Sequence, residues 1–485
     1  MPSQRTSPLR HAAKDRTQPP RVKTKARPKA APAARASQRQ AAQAKAQQIQ
    51  ASKLARALLI SLNAARTRLA SLDLETLARQ SGFMRRAFRK LSILAFVQGL
   101  LALSAESVLA LERMASVIGE AAGLSYTKQA LHKRLGPSLE KFVAQVAAAF
   151  LGQWARAQAP ALLRPFARVL LHDSTVETVP KHLAQAYPGG RNQKKCDRAA
   201  LKIQFIADLL NGAVLQWSLS GYTRNDQAAA RDILTVAQAG DLVIRDLGYF
   251  VLPVFAQIIQ LGAFFLSRYR HGVNVYDLEG RPLDLGRELR RTGRLDRWVL
   301  LGQAKVRVRL VALPAPESLV NARRRQARAN HDGRSQPSAA RLHLLAWTIL
   351  VTNVSEQVWR AEDLATVYRL RWRIEIVFKT WKSHLGLHRL NTRTGPLLGL
   401  TAAIKLLFCA LVYRQCHHLE LLNQDTRHVS LLRLARILEH CDCLFTAAIL
   451  QLSVEKLLAH NLRQHLYYEP RSDRKNYFEF FQELG

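Results

Sequence analysis

The feature that most constrains the fold is a change of texture near residue 165. From about 56 to 160 the chain is rich in Ala and Leu at helical period, with almost no strand signal. Beyond it the sequence breaks into short apolar runs. "ARVLLHDST" (167–175) has strand length and ends in a polar turn. "LKIQFIADLLNGAVLQWSLS" (201–220) is two alternating runs around Asn211-Gly212, the residue pair that supplies positive φ in a hairpin. "DLVIRDLGYF" (241–250) is a further β run that ends at an acid. Residues 251–262 look helical, and "AFFLSRYR" (263–270) is strand-like again. β-type runs then continue through "WVLLGQAKVRVRLVAL" (298–313), followed by a basic loop over 321–338 and a buried strand in "LHLLAWTILVTN" (342–353). Helical sequence follows to the end. Strands interleaved with helices predict an α/β fold, and 485 residues are too many for one core.

Charge narrows the partners. The chain holds 73 Lys+Arg against 35 Asp+Glu, a formal net charge of +38. A field of that strength favours polyanions, nucleic acid foremost, with anionic membrane or acidic protein behind it. The first 50 residues contain twelve Lys or Arg and one acid, Asp15. Such a segment cannot bury enough apolar surface to fold, so residues 1–55 are expected to be a disordered basic tail, either a DNA-holding arm or a solubilising one. In "SVIGEAAGLSYTKQALHKRL" (116–135) one helix would end at Gly123 and Ser125 would cap the next, which carries Lys128, His132, Lys133 and Arg134. That outline fits a helix-turn-helix on DNA and equally a plain helical hairpin.

No membrane partner is expected. The best apolar run, 397–413, is interrupted by Lys405 and reads as a buried helix. The N-terminus is basic without a hydrophobic stretch after it, unlike a secretory signal, which points to the cytoplasm. Five scattered cysteines make a disulfide framework improbable and suit a reducing compartment. Cys409, Cys416, His417, His418, His440, Cys441 and Cys443 include no C-x2-C pair and fit no common zinc site. No G-x4-GK[ST] phosphate loop or serine or cysteine hydrolase signature is present.

The chemistry concentrates in "YRLRWRIEIVFKTWK" (368–382), where five Lys or Arg surround one acid, Glu375. With Tyr368 at zero on a helix, Arg371 falls at about 300°, Glu375 at about 340°, Lys379 at about 20° and Lys382 at about 320°. Leu370, Ile374, Val377 and Trp381 fall on the opposite face, which would bury. Alone, this is a solvated amphipathic helix with a Glu375–Lys379 pair. Asp173 and Asp246, each closing a predicted buried strand, change the balance. Two strand-end acids and one from a helix packed on the sheet make the oxygen-donor set that hard divalent cations prefer.

Tyr368-x2-Arg371-x3-Glu375-x6-Lys382 resembles the Tyr-Arg-Glu-Lys signature of bacterial DDE transposases of the insertion sequence 4 family. "HDST" (172–175) is similar to that family's first-Asp strand and "DLGYF" (246–250) to its second-Asp motif. "GYTRNDQ" (221–227) resembles the segment after the central hairpin. "FLSRYR" (265–270) and "WTILVTN" (347–353) resemble the strands flanking an insertion. The likeness runs over about 165–390.

The resemblance implies an RNase H-like catalytic core over 161–255 and 345–395, with a β-rich insertion over 256–344. That fits the 129 residues between Asp246 and Glu375. A helical DNA-binding region (56–160) and a C-terminal helical region (396–485) would flank it. Asp173, Asp246 and Glu375 would be the catalytic metal ligands for two Mg2+, with Mn2+ able to substitute. Tyr368, Arg371 and Lys382, with Lys379 beside them, would hold DNA phosphates. Trp347 stands where relatives stack a flipped base; it reads equally as a core Trp on a buried strand. The expected function is DNA transposition: binding inverted-repeat ends and target DNA as a homodimer, associated with the bacterial nucleoid. A non-catalytic DNA-binding protein of the same descent is the alternative.

Overall fold

A computed structural model of the chain describes residues 45, 48–50, 52–60, 67, 69–86, 91–103, 110–151, 159–190, 198–329, 337–384, 390, 394–423 and 428–440. Most of the tail expected over 1–55, and residues 441–485 of the C-terminal region, lie outside them.

Nine strands of the described residues form one sheet in the order β3-β2-β1-β4-β5-β9-β8-β7-β6. β1 (Val169–Val179), β2 (Ala199–Asp208) and β3 (Val214–Gly221) are antiparallel, whereas β1, β4 (Leu242–Arg245) and β5 (Phe264–Arg268) run parallel. The hairpin predicted around Asn211-Gly212 joins β2 to β3, with Gly212 at φ 66°. Its loop is longer than two residues because the Asp208 carboxylate accepts the N–H groups of Leu210 and Val169 and ends β2 early.

The chain continues past 256, where the insertion is expected to begin, into β5, which pairs with β4. It adds β6 (Val275–Tyr276), β7 (Leu295–Leu301) and β8 (Val306–Pro314) and returns as β9 (Trp347–Thr352). β9 lies between β5 and β8, so the inserted strands extend the core sheet itself. Arg309, 1 % exposed, locks the two together: it chelates Asp296 in the insertion and donates to the carbonyl of Trp359 in the core.

The basic loop expected over 321–338 is helical for its first part. Glu317–Ala329 forms a helix because Ala, Arg and Gln are good helix formers and Arg323 can reach the carbonyls of Leu345 and Trp347. The segment expected to be one long helix from 368 is also divided. One helix ends at Tyr368, a 3-10 turn covers Arg369–Arg371, and the next helix, here α3, spans Trp372–His384.

Upstream, α1 (Ile93–Leu103) and α2 (Leu111–Ala122) pack together. They share one apolar core with a face of the sheet and with α4 (Gly395–Leu422). Gly123 ends α2 as expected, at φ 64°, but Thr127 rather than Ser125 caps the next helix, which is only Lys128–His132. α4 is the one helix among the described residues long and apolar enough to cross a membrane, and 83% of that apolar stretch is buried inside the protein.

Candidate active site

Parallel pairing of β1 and β4 stops at His172↔Arg245, so the next residues, Asp173 and Asp246, emerge side by side. Asp246 ends β4 as expected and caps the turn Leu247–Tyr249. Asp173 does not close its strand: β1 continues to Val179 because β2 still offers a partner along that edge. The Tyr368 hydroxyl donates to the Arg245 carbonyl at 3.3 Å, bringing the signature segment against the end of β4.

Arg371 then joins all three acids. Its guanidinium lies 3.6 Å from Asp173, 3.6 Å from Asp246 and 2.6 Å from Glu375. Burial pushes the Asp173 carboxyl up to about 7, helped by the Asp246 and Glu375 charges and opposed by the Ser174 N–H and Arg371. Asp246 and Glu375 keep 38% of their side chains exposed, so the centre opens to solvent on their side.

Two of the expected phosphate-binding residues, Arg371 and Lys382, are engaged by groups of the protein itself. Arg371 faces carboxylates, and Lys382 donates to the Val176 carbonyl at 2.8 Å and pairs with Glu177 at 2.9 Å. Lys379 is exposed. Trp347 begins β9, which runs antiparallel to β5, and so lies at the same end of the sheet as Asp246. It is half-buried, with its indole N–H on the Gly293 carbonyl and its ring edge-to-face with His343.

Two groups near the acids were missed in the sequence. Trp372 is 61% exposed at the start of α3, beside Arg371. Its signal was available: on the helical wheel it falls at about 40°, on the polar arc where a Trp has no packing reason to be. Asp226 accepts Lys202, Ser174 and Gln204 at 2.8, 2.7 and 3.3 Å. Burial would raise its carboxyl, but these donors outweigh that and hold it below the usual range. In the sequence it is the acid of the Asn-Asp segment within "GYTRNDQ", which carries the family likeness without a role of its own.

Residues 164–413 match the family described as the transposase DDE domain. The chain belongs to the DDE transposase family. It is 28% identical over 344 residues to the transposase for insertion sequence element IS231B of Bacillus thuringiensis subsp. berliner, covering 65% of this chain and 71% of that one. It is 24% identical over 290 residues to the transposase for IS1151 of Clostridium perfringens, covering 53% and 59%. Among solved structures, a piggyBac transposase synaptic complex with hairpin DNA aligns over 84% of each chain at 11% identity and a TM-score of 0.38, too remote to bear on the argument. As a DDE transposase the chain is a DNA-cleaving and strand-transfer enzyme of a family that uses divalent metal ions.

The donor set suits such ions. All three side chains are carboxylates, the ligands of hard cations, and they already gather around one positive charge. Among the described residues no three acidic, His or Cys side chains are close enough to hold a metal by themselves. The guanidinium of Arg371 contacts all three of them.

Proposed function

We propose that this transposase is of the insertion sequence 4 type and acts through Asp173, Asp246 and Glu375 on the inverted-repeat ends of its own element. The observation that carries the reading is the convergence of these acids, drawn from two neighbouring strands and a distant helix, on Arg371. A sheet of three antiparallel and two further parallel strands, extended by an insertion between β5 and α3, supports an RNase H-like core. The catalytic parts would be 161–268, which includes β5, and 345–395, with the insertion between them.

Two Mg2+ or Mn2+ ions held by the three carboxylates would activate the attacking oxygen and stabilise the leaving one in an in-line phosphodiester displacement. The chain's own residues do the rest. Arg371 releases the acids and becomes a phosphate ligand, and Lys379, exposed one turn beyond Glu375, draws the backbone towards the centre. Trp372 offers its exposed ring face to unstacked bases, an interaction worth about 1–3 kcal/mol per base, whereas Trp347, held by Gly293 and His343, keeps its structural reading. Nicking leaves a 3′-hydroxyl, which then attacks the opposite strand or target DNA. The working form is a homodimer bridging two ends, in the bacterial cytoplasm at the nucleoid.

The test uses DNA carrying the inverted repeats that flank the gene. Wild type with Mg2+ or Mn2+ should cut at the element boundary; Glu375→Gln should bind the ends equally in Ca2+ and not cut. Binding by both proteins with cutting by neither would favour a non-catalytic DNA-binding protein.

A further inference from the structure

Between the two strand-end acids runs a second polar network. The Ser174 N–H donates to Asp173 at 2.8 Å, and the Ser174 hydroxyl donates to Asp226 at 2.7 Å. The same Asp226 oxygen takes Lys202 at 2.8 Å and Gln204 Nε2 at 3.3 Å. The other end of the Gln204 amide accepts the Tyr249 hydroxyl at 2.5 Å. Tyr249 belongs to the turn that Asp246 caps. Thus the residue after Asp173 is tied directly to Asp226, and Tyr249, three residues after Asp246, is tied to it through one amide. Gly248 closes the circuit: a Cβ there would stand 3.1 Å from the second Asp226 oxygen, tight enough that the carboxylate would have to shift by a few tenths of an ångström.

A buried lysine is an expensive way to join two elements. Lys202 is 4% exposed, and a well-packed apolar pair would serve stability as well or better. Elsewhere the fold uses such pairs for joining alone: Arg168 with Asp241, and Arg309 with Asp296, touch none of the three acids. The Lys202–Asp226 pair differs in that its other contacts lead to both strand-end carboxylates.

We propose that Asp226 is a positioning residue for the cleavage centre, setting the spacing of Asp173 and Asp246 through Ser174, Gln204 and Tyr249. The inference rests on the reading of those acids as metal ligands. Partners that orient ligands typically contribute 10–100-fold to metal affinity. Asp226 also ties the middle of β1 to the turn that follows β4 before any cation arrives, which reduces what ion binding must organise.

The experiment counts Mn2+ bound to the DNA-free, full-length protein from the paramagnetic signal of the free ion. It runs beside single-turnover cleavage of end DNA as a function of Mn2+. Asp226→Asn and Ser174→Ala should each weaken Mn2+ binding by about 10–100-fold. They should shift the cleavage midpoint equally and leave end binding in Ca2+ within about twofold. The double variant Lys202→Met/Asp226→Asn should recover the melting temperature lost in Asp226→Asn but not the Mn2+ affinity. Unchanged Mn2+ affinity in both single variants would overturn the proposal, as would recovery of affinity together with melting temperature in the double variant. Should Asp226→Asn fail to fold, Ser174→Ala carries the decision. Wild type that binds Mn2+ and cuts while the variants match it defeats only the role of Asp226. Wild type that neither binds nor cuts defeats the metal-ligand reading itself.

Discussion

At the scale of single residues, the chemistry follows from which side chains have no structural reason to be where they are. Trp372 keeps 61% of its surface in water, whereas Trp347 is anchored by its indole N–H and by His343. Trp372→Ala should therefore weaken end-DNA binding by about 1–3 kcal/mol in a gel-shift titration, with little change in melting temperature. Trp347→Ala should mainly lower the melting temperature. The acids were legible in the sequence because an acid after an apolar strand, or alone among bases, is conspicuous by type. Arg371 was legible only as a base. Its actual neighbours, Asp173 and Asp246, are set by strand pairing far away in the chain, which residue spacing does not encode.

At the scale of elements, α1 and α2 approach so closely that Gly99 faces the backbone of Ile118. A Cβ on Gly99 would lie 2.8 Å from the Ile118 Cα, and backbone cannot swing aside as a side chain can. Gly99→Ala should destabilise the protein by about 1–3 kcal/mol, measured by denaturant unfolding, while a purified folded fraction keeps its cleavage rate per bound end. The β2–β3 hairpin was legible because alternation and Asn-Gly agree on it. The helix at 317–329 was not, since its run of arginines reads as a loop until Arg323 is seen reaching the carbonyls beside β9. The 3-10 turn at Arg369–Arg371 was equally hidden. No propensity marks it, and it is the contact of Tyr368 with the end of β4 that accompanies the break.

At the scale of the whole molecule, the upstream helices and α4 meet at a carboxyl group. Glu140 presses against Gly399 of α4, where any Cβ would overlap it, and burial pushes its carboxyl up to about 7. The folded state thus holds a proton there that the unfolded chain, with an ordinary carboxyl, gives up near pH 4.5. Between those values the unfolded state binds fewer protons, so this group's contribution to stability falls as pH rises and is lost above about 7. Glu140→Gln should raise stability relative to wild type at pH 8 by about 1–2 kcal/mol, after allowing for partial solvent screening, and change little at pH 4. Melting curves of the two proteins at both pH values check it. Sequence reading gave the upstream helices and the C-terminal region separate places, because covalent distance conceals that they share one core with the sheet.

The return of β9 beside β5 also has a meaning in time. About 200 residues separate Asp173 from Glu375, and synthesis proceeds at about 5–20 residues per second, so the third acid emerges roughly 10–40 seconds after the first. During that interval the growing chain carries its upstream positive charge with first one and then, once Asp246 is made, two of the three carboxylates. On the reading proposed above, a product cut short within the insertion would keep the upstream positive charge but lack Glu375 and, with it, the DNA contacts proposed on α3. A preparation contaminated with such fragments would then look less active per unit mass than its full-length molecules are.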